Sequence, residues 1–122
     1  MKRLAVAAGI VGFLAVVLGA FGAHALDGRL SVAAHGWWET ATLYGLTHAV
    51  AALAAAYSGR AALARAGWAF VIGAVLFAGS LYAMALGAPK LLGAVTPLGG
   101  LSFLAGWGLV VAGAIAGRQN RN

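Results

Sequence analysis

The chain has 122 residues, of which 63% are hydrophobic and 8% are charged, whereas a soluble domain carries roughly 25% charged residues. This composition excludes an ordinary soluble domain and indicates a protein whose solvent is lipid. The net charge of +6 does not indicate nucleic-acid binding, because the basic residues are scattered between apolar runs instead of forming one face. The lack of cysteine excludes disulfides, thiolate catalysis and Cys-ligated zinc.

Four apolar segments of 20 to 22 residues follow one another along the chain, and about 20 helical residues cross the hydrocarbon core of a bilayer. Backbone groups inside lipid must be hydrogen-bonded within their own segment, so helices are predicted instead of strands. We predict an all-α integral membrane protein, a four-transmembrane-helix bundle, with one domain over residues 1–122. The predicted helices cover residues 4–23, 37–57, 66–86 and 95–116, and the outer connection covers 24–36.

The first apolar segment has a competing interpretation as a secretory signal. Lys2 and Arg3 precede it, and Ala23-His24-Ala25 resembles a small-residue cleavage site. The apolar run is longer than the roughly 7 to 15 residues of a signal core. Removing it would leave three spans and break the charge asymmetry of the chain. We therefore expect this segment to be retained as the first helix.

The basic residues predict the direction of the helices. Six lie before the first segment, between the second and third, or after the fourth: Lys2, Arg3, Arg60, Arg65, Arg118 and Arg121. Only Arg29 and Lys90 lie at the other end, together with both acids of the chain, Asp27 and Glu39. The positive-inside rule then places both termini in the cytoplasm. Aromatic residues expected at the membrane surfaces are Trp37, Trp38, Tyr57 and Trp68.

Small residues recur at heptad spacing in the first, third and fourth segments. Steps of three and four residues keep each set on one helix face. Helices in lipid gain stability through the close backbone contact that small residues permit, and a 3.5-residue period predicts left-handed crossings. The predicted helix-packing glycines are Gly9, Gly12, Gly19, Gly73, Gly99, Gly106 and Gly113.

The second apolar segment differs because polar residues interrupt it. Its predicted inward stripe consists of Trp37, Ala41, Tyr44, His48, Ala51 and Ala55. Its predicted lipid-facing residues are Leu43, Leu46, Val50 and Leu53. Glu39 falls on the outer side near the start of the helix, so Glu39 and Asp27 are predicted to be interfacial acids.

The intramembrane polar side chains are predicted to converge in the outer half of the bundle, near His48. That histidine lies roughly 16 Å from the outer end of its predicted helix. The candidate cluster consists of His24, Tyr44, His48, Ser80, Tyr82 and Thr96. Two interpretations stay open: hydrogen bonds that fix helix register, and a ligand or proton site, which an intramembrane ionisable group suggests.

No catalytic residue, metal site or cofactor is predicted. The three histidines are spaced by eleven and thirteen residues, so no i, i+3 or i, i+4 pair shares a helix face as zinc ligands do. With two carboxylates in the chain, a pair of Ser80 and His48 would lack the acid that orients a hydrolase histidine. No glycine-rich segment is followed by the lysine of a phosphate loop.

Four motifs resemble those of a family of small bacterial membrane proteins. They are Leu18–Leu26, Trp38–Ala41 with Tyr44 and His48, Leu76–Tyr82, and Thr96–Trp107. The chain is similar over nearly its whole length to the YgdD family, also described as domain of unknown function 423 and related to eukaryotic transmembrane protein 256. This resemblance implies a multi-pass protein of the bacterial inner membrane with no established biochemical activity.

Three functions are compatible with these features. The first is a non-enzymatic scaffold or accessory protein, in contact with membrane lipids and forming homo-oligomers or joining a larger membrane complex. The second is permeation of a small solute or proton through an oligomer that uses the cluster around His48. The third is binding of a lipid or quinone in a groove near Tyr44 and His48. We expect the first, because the sequence offers packing residues and few reactive groups.

Overall fold

The computed structural model describes residues 2–119, which form four long α-helices. The helices are α1 (Lys2–His24), α2 (Val32–Ala56), α3 (Ala61–Ala85) and α4 (Thr96–Gln119), with a short 3-10 helix at Lys90–Ala94. No strand occurs among these residues, so the prediction of an all-α protein with four long helices is confirmed for them. Arg121 lies outside the described residues.

Three stretches of the described chain are long and apolar enough to cross a membrane: α1, α3 and Lys90–Gln119, which contains α4. The α2 helix is not among these three, although its 25 residues match the length of α3. Its mean hydropathy is lowered by charged and polar residues such as His35, Glu39 and His48.

The observed helix ends differ from the predicted ones, most of all at the start of α2. This helix begins at Val32, five residues before the prediction, because the Ser31 hydroxyl accepts a hydrogen bond from the Ala34 amide at 3.1 Å and caps the first turn. The predicted outer connection over 24–36 is therefore wrong in its second half. The α3 helix likewise begins at Ala61 instead of residue 66, directly after Gly59, whose positive φ of 70° forms the turn from α2.

The α3 helix lies at the centre of the fold. The α2 and α4 helices pack on it along their lengths, and α1 packs mainly on α2. The largest fully buried side chains are Phe70 of α3 and Leu4 of α1. The core around them draws on all four helices and includes Ala8, Ala52, Ala66, Ala74 and Phe103.

Glycines bring the backbones of α3 and α4 into direct contact. A Cβ atom on Gly99 would lie 2.5 Å from the backbone nitrogen of Phe77, and one on Gly73 would lie 2.9 Å from the carbonyl oxygen of Gly99. On Gly106 it would lie 3.2 Å from the carbonyl oxygen of Ala66. Any side chain at Gly99 or Gly73 would therefore push the two helices apart.

The α1 helix packs through a face about one residue away from the predicted stripe. Its buried residues are Leu4, Ala8, Ala15 and Gly22. The structure places Gly9 on the exposed surface, with nothing within 4 Å of an added Cβ, so Gly9 is not a packing residue as predicted. The buried face differs from the predicted one because Leu4 packs into the bundle against Gly67. A Cβ on Gly67 would come 2.6 Å from the Cδ2 atom of Leu4. Gly12 and Gly19 lie at the edge of this contact, facing Ala49 and Thr42.

Candidate functional site

His48 is buried between α2 and α4, and both of its ring nitrogens are engaged. Its Nε2 lies 3.1 Å from the indole Nε1 of Trp107, and its Nδ1 lies 2.8 Å from the carbonyl oxygen of Tyr44. An indole N–H only donates and a carbonyl only accepts. The imidazole is therefore neutral, with its proton on Nδ1, and both of its hydrogen bonds are satisfied within the protein.

Aromatic rings from three helices surround His48. The imidazole stacks on Phe103 with ring centroids 3.6 Å apart, and Phe70 and Trp107 lie at 5.4 and 6.0 Å. The sequence interpretation placed His48 correctly on the buried face but did not identify Trp107 as its partner. The sequence feature that could have indicated this partner is the spacing of four residues between Phe103 and Trp107, which puts both rings on one face of α4.

Tyr44 lies at the edge of this aromatic group and not in the interior as the predicted stripe implies. Its ring is nearly parallel to those of His48 and Phe103, with interplanar angles of 7° and 19°. The residue is 42% exposed. Within residues 2–119 no hydrogen bond to the Tyr44 hydroxyl is found. The bond from His48 goes to the backbone carbonyl of Tyr44 and not to its side chain.

Tyr82 belongs to a second polar group, which joins α1, α2 and α3. The Thr42 hydroxyl donates to the carbonyl oxygen of Trp38 at 3.0 Å, so the Tyr82 hydroxyl is the donor in its 2.7 Å bond to Thr42. The Trp38 indole donates to the carbonyl oxygen of Leu18 at 2.8 Å. A Cβ on Gly22 would overlap that indole, so only glycine leaves room for this contact. Trp38 is therefore buried between the helices.

Ser80 and Thr96 form a third polar group, at the start of α4. The Ser80 hydroxyl donates to the carbonyl oxygen of Phe77 at 3.0 Å, and the Thr96 hydroxyl then donates to Ser80 at 2.5 Å. This pair fixes the first turn of α4 against α3.

The predicted cluster is therefore divided into three groups, and His24 belongs to none of them. His24 ends α1 with an exposed side chain. Within residues 2–119 no hydrogen bond links one group to another, and no buried side-chain nitrogen or oxygen lacks a partner. In the second and third groups, Thr42 and Ser80 donate to backbone carbonyls. Tyr82 and Thr96 donate to the hydroxyls of Thr42 and Ser80. Hydrogen bonds of this kind fix helix register.

The charged side chains lie at the two ends of the fold. At one end Glu39 pairs with His35 one turn earlier at 3.0 Å, and both side chains are exposed; Asp27 is exposed in the connection between α1 and α2. At the other end the Arg60 guanidinium donates to the carbonyl oxygen of Gly113 near the end of α4. Residues 2–119 contain no group of three or more His, Cys, Asp or Glu side chains able to hold a metal ion.

Several apolar grooves open on the surface of residues 2–119, including two beside residues of the predicted cluster. One of about 590 Å³ lies between α2 and α4 and is lined by Tyr44, His48, Phe77, Phe103 and Trp107, among other residues. The other, of about 220 Å³, lies between α1 and α3 over small residues such as Ala15, Gly45 and Ala78.

Long apolar helices, backbones in contact through glycine, and internally paired polar side chains define a helical membrane protein. The comparisons with known proteins agree with this class. The family model described as "Protein of unknown function (DUF423)" matches residues 18–100, and the chain belongs to this family. The resemblance predicted from the motifs is thereby confirmed.

Several relatives of this chain are membrane proteins of similar length. The UPF0382 membrane protein YwdK of Bacillus subtilis (strain 168) is 41% identical over 94% of this chain and 98% of its own length. The UPF0382 inner membrane protein YgdD of Escherichia coli (strain K12) is 43% identical over 88% of this chain and 86% of its own length. No solved structure matches the chain.

Proposed function

We propose that this chain is a non-enzymatic scaffold or accessory protein of the bacterial inner membrane, acting through contacts with other membrane proteins or with further copies of itself. The observation that carries the proposal is the saturation of the buried polar side chains. His48, Tyr82, Ser80 and Thr96 are bonded to other protein groups. Each of these side chains donates its polar proton to another protein group, which supports a structural role over acid–base chemistry.

The proposal includes four membrane spans, with α2 as the second. The α2 helix is as long as α3 and packs along it, and its polar residues His48 and Thr42 are bonded inside the bundle. Its outward side chains Leu43, Val50 and Leu53 are apolar and exposed, which suits contact with lipid. A buried polar face explains how a helix of lower hydropathy crosses the bilayer.

The proposal also places both termini in the cytoplasm. With four spans, the starts of α1 and α3 and the ends of α2 and α4 lie on one side. Five basic residues of the described chain are at that end: Lys2, Arg3, Arg60, Arg65 and Arg118. The two acids and the two other basic residues lie at the opposite end, so the positive-inside rule supports this direction. The printed name of the E. coli relative, an inner membrane protein, supports the location.

Extraction of the protein from membranes directly into lipid nanodiscs, followed by mass determination, tests the scaffold proposal. We expect either multiples of the 12.2 kDa chain or a second membrane protein at a fixed ratio. Particles with one copy of the chain and no other protein would contradict the proposal.

Permeation through His48 is the competing proposal, and it has less support because both imidazole nitrogens are already bonded. Proton or solute flux into liposomes, compared between the wild type and His48→Ala, separates the two. We expect neither protein to raise flux above that of empty liposomes. A wild-type flux that His48→Ala abolishes would favour permeation.

A further inference from the structure

The Tyr44 hydroxyl is a polar group placed far from either membrane surface. Tyr44 is the middle residue of the 25-residue α2 helix, roughly 18 Å from each end at 1.5 Å per residue. This depth rests on the proposed span of α2. A tyrosine side chain is too short to reach water from that position, and a hydroxyl without a partner in hydrocarbon is unfavourable.

The protein groups near Tyr44 are already committed to other bonds. The carbonyl oxygen of Tyr44 and the indole of Trp107 are both bonded to His48. The Tyr44 ring packs on Phe77 at 4.9 Å, which carries no polar atom. Within residues 2–119 the hydroxyl makes no hydrogen bond, so an acceptor from a bound molecule would satisfy it.

The groove between α2 and α4, next to Tyr44, has enough volume for a small molecule and is open on the side that faces lipid. Its volume of about 590 Å³ falls within the roughly 300 to 1,000 Å³ of typical ligand pockets. Aromatic rings form its walls: Tyr44, Phe77, Phe103 and Trp107. Gly100 leaves its side open, because an added Cβ there would meet nothing within 4 Å.

The chemistry of the groove defines its occupant. The aromatic side chains that line the groove favour a ligand with a flat ring, because flat rings pack against aromatic side chains in offset or tilted pairs. The Tyr44 hydroxyl requires a hydrogen-bond acceptor at mid-membrane depth, where phospholipids carry no polar atoms. Exposed Leu101 and Leu104 beside the groove provide a path for an apolar tail.

We propose that the groove between α2 and α4 binds a quinone-type lipid, a flat ring with carbonyl oxygens and a long apolar tail. The Tyr44 O–H donates to a ring carbonyl, the ring packs against the exposed side of Trp107, and the tail lies along α4 toward the lipid. The proposal concerns binding and positioning of the ring; it includes no oxidation or reduction.

Binding is tested on the full-length protein in nanodiscs of defined phospholipids, with decylubiquinone as the probe. Saturable quenching of tryptophan fluorescence, above the quenching caused by partition into the bilayer, reports binding of the probe to the protein, and its loss in Trp107→Phe assigns the quenching to Trp107. Infrared spectroscopy of the bound probe reports whether a carbonyl accepts a hydrogen bond. We expect saturable binding to the wild type and a lowered carbonyl stretching frequency.

Three variants identify the site. Tyr44→Phe removes only the hydroxyl, and we expect about tenfold weaker binding, the equivalent of about 1.4 kcal/mol, and loss of the frequency shift. Gly100→Leu extends a side chain into the groove, and we expect no saturable binding. Tyr57→Phe, an exposed tyrosine at the end of α2, is the matched control and should bind like the wild type.

Two results would overturn the inference. One is the absence of saturable binding, or binding that Tyr44→Phe and Gly100→Leu leave unchanged. The other is a nanodisc that holds two copies of the wild type and one of Tyr44→Phe, because a second chain would then be the partner of the hydroxyl. The span of α2 is checked separately: water access to Leu46→Cys would overturn that part of the proposed function, whatever the binding result.

Discussion

His48 shows how a titratable residue becomes a packing residue. An isolated histidine inside a membrane is a candidate for proton or ligand chemistry, but here Trp107 and the Tyr44 carbonyl occupy both nitrogens. The sequence predicted the burial of His48 because helical periodicity assigns each residue to a face. Periodicity does not state which residue of another helix lies opposite, so Trp107 and Thr42 were not anticipated as partners.

Removing the His48–Trp107 bond should destabilise the bundle measurably. We expect His48→Ala to lower the free energy of unfolding by about 2 to 4 kcal/mol, because it leaves a cavity and an unpaired indole N–H. A double-mutant cycle with Trp107→Phe, measured in mixed detergent micelles, should give a coupling of about 1 kcal/mol. A coupling near zero would show that the bond does not contribute to stability.

At the scale of single helices, the number of elements could be predicted better than their faces and ends. Apolar length predicts four helices, but it does not show that the polar Ser31 caps α2 and starts this helix five residues before its apolar run. Small residues alone predict the wrong face of α1, because Gly9 is exposed and Leu4 is buried. A leucine can enter the interface when glycine receives it, as Leu4 does over Gly67, and only the partner helix reveals that arrangement.

Adjacent glycines in α4 offer a matched pair for testing the contact with α3. Gly99→Ala should lower the free energy of unfolding by about 1 to 3 kcal/mol, because its Cβ would approach the backbone of Phe77 at 2.5 Å. Gly100→Ala meets no atom within 4 Å, and it should be neutral or stabilising by up to about 1 kcal/mol. Equal effects of the two substitutions would contradict the observed packing.

A second pair tests the orientation of α1. Gly22→Ala should destabilise the protein and move Trp38, because the new methyl group overlaps the indole; a changed tryptophan emission spectrum should accompany the loss of stability. Gly9→Ala lies on the exposed face and should change neither property. If Gly9→Ala proved the more damaging substitution, the originally predicted stripe would be correct and the observed face wrong.

At the scale of the whole molecule, the fold is a central α3 helix with its neighbours joined by three closed polar groups. Composition alone indicated a membrane protein, and four motifs indicated the family. The division of the polar residues into separate groups could not be predicted, because depth along a helix says which side chains share a level but not which are in contact. His24 ends α1 at the proposed outer surface, whereas Tyr44 is the middle residue of α2 and His48 lies one turn beyond it, so these residues do not share a level.

The central claim, a four-span bundle with α2 crossing the membrane, is tested most directly by cysteine accessibility in intact cells. The chain has no cysteine of its own, so single substitutions Ala25→Cys, Ala61→Cys and Leu91→Cys at exposed positions report three connections without background. We predict that a membrane-impermeant maleimide labels Ala25→Cys and Leu91→Cys from outside and reaches Ala61→Cys only after permeabilisation. Labelling of Ala25→Cys and Ala61→Cys from the same side would contradict the account.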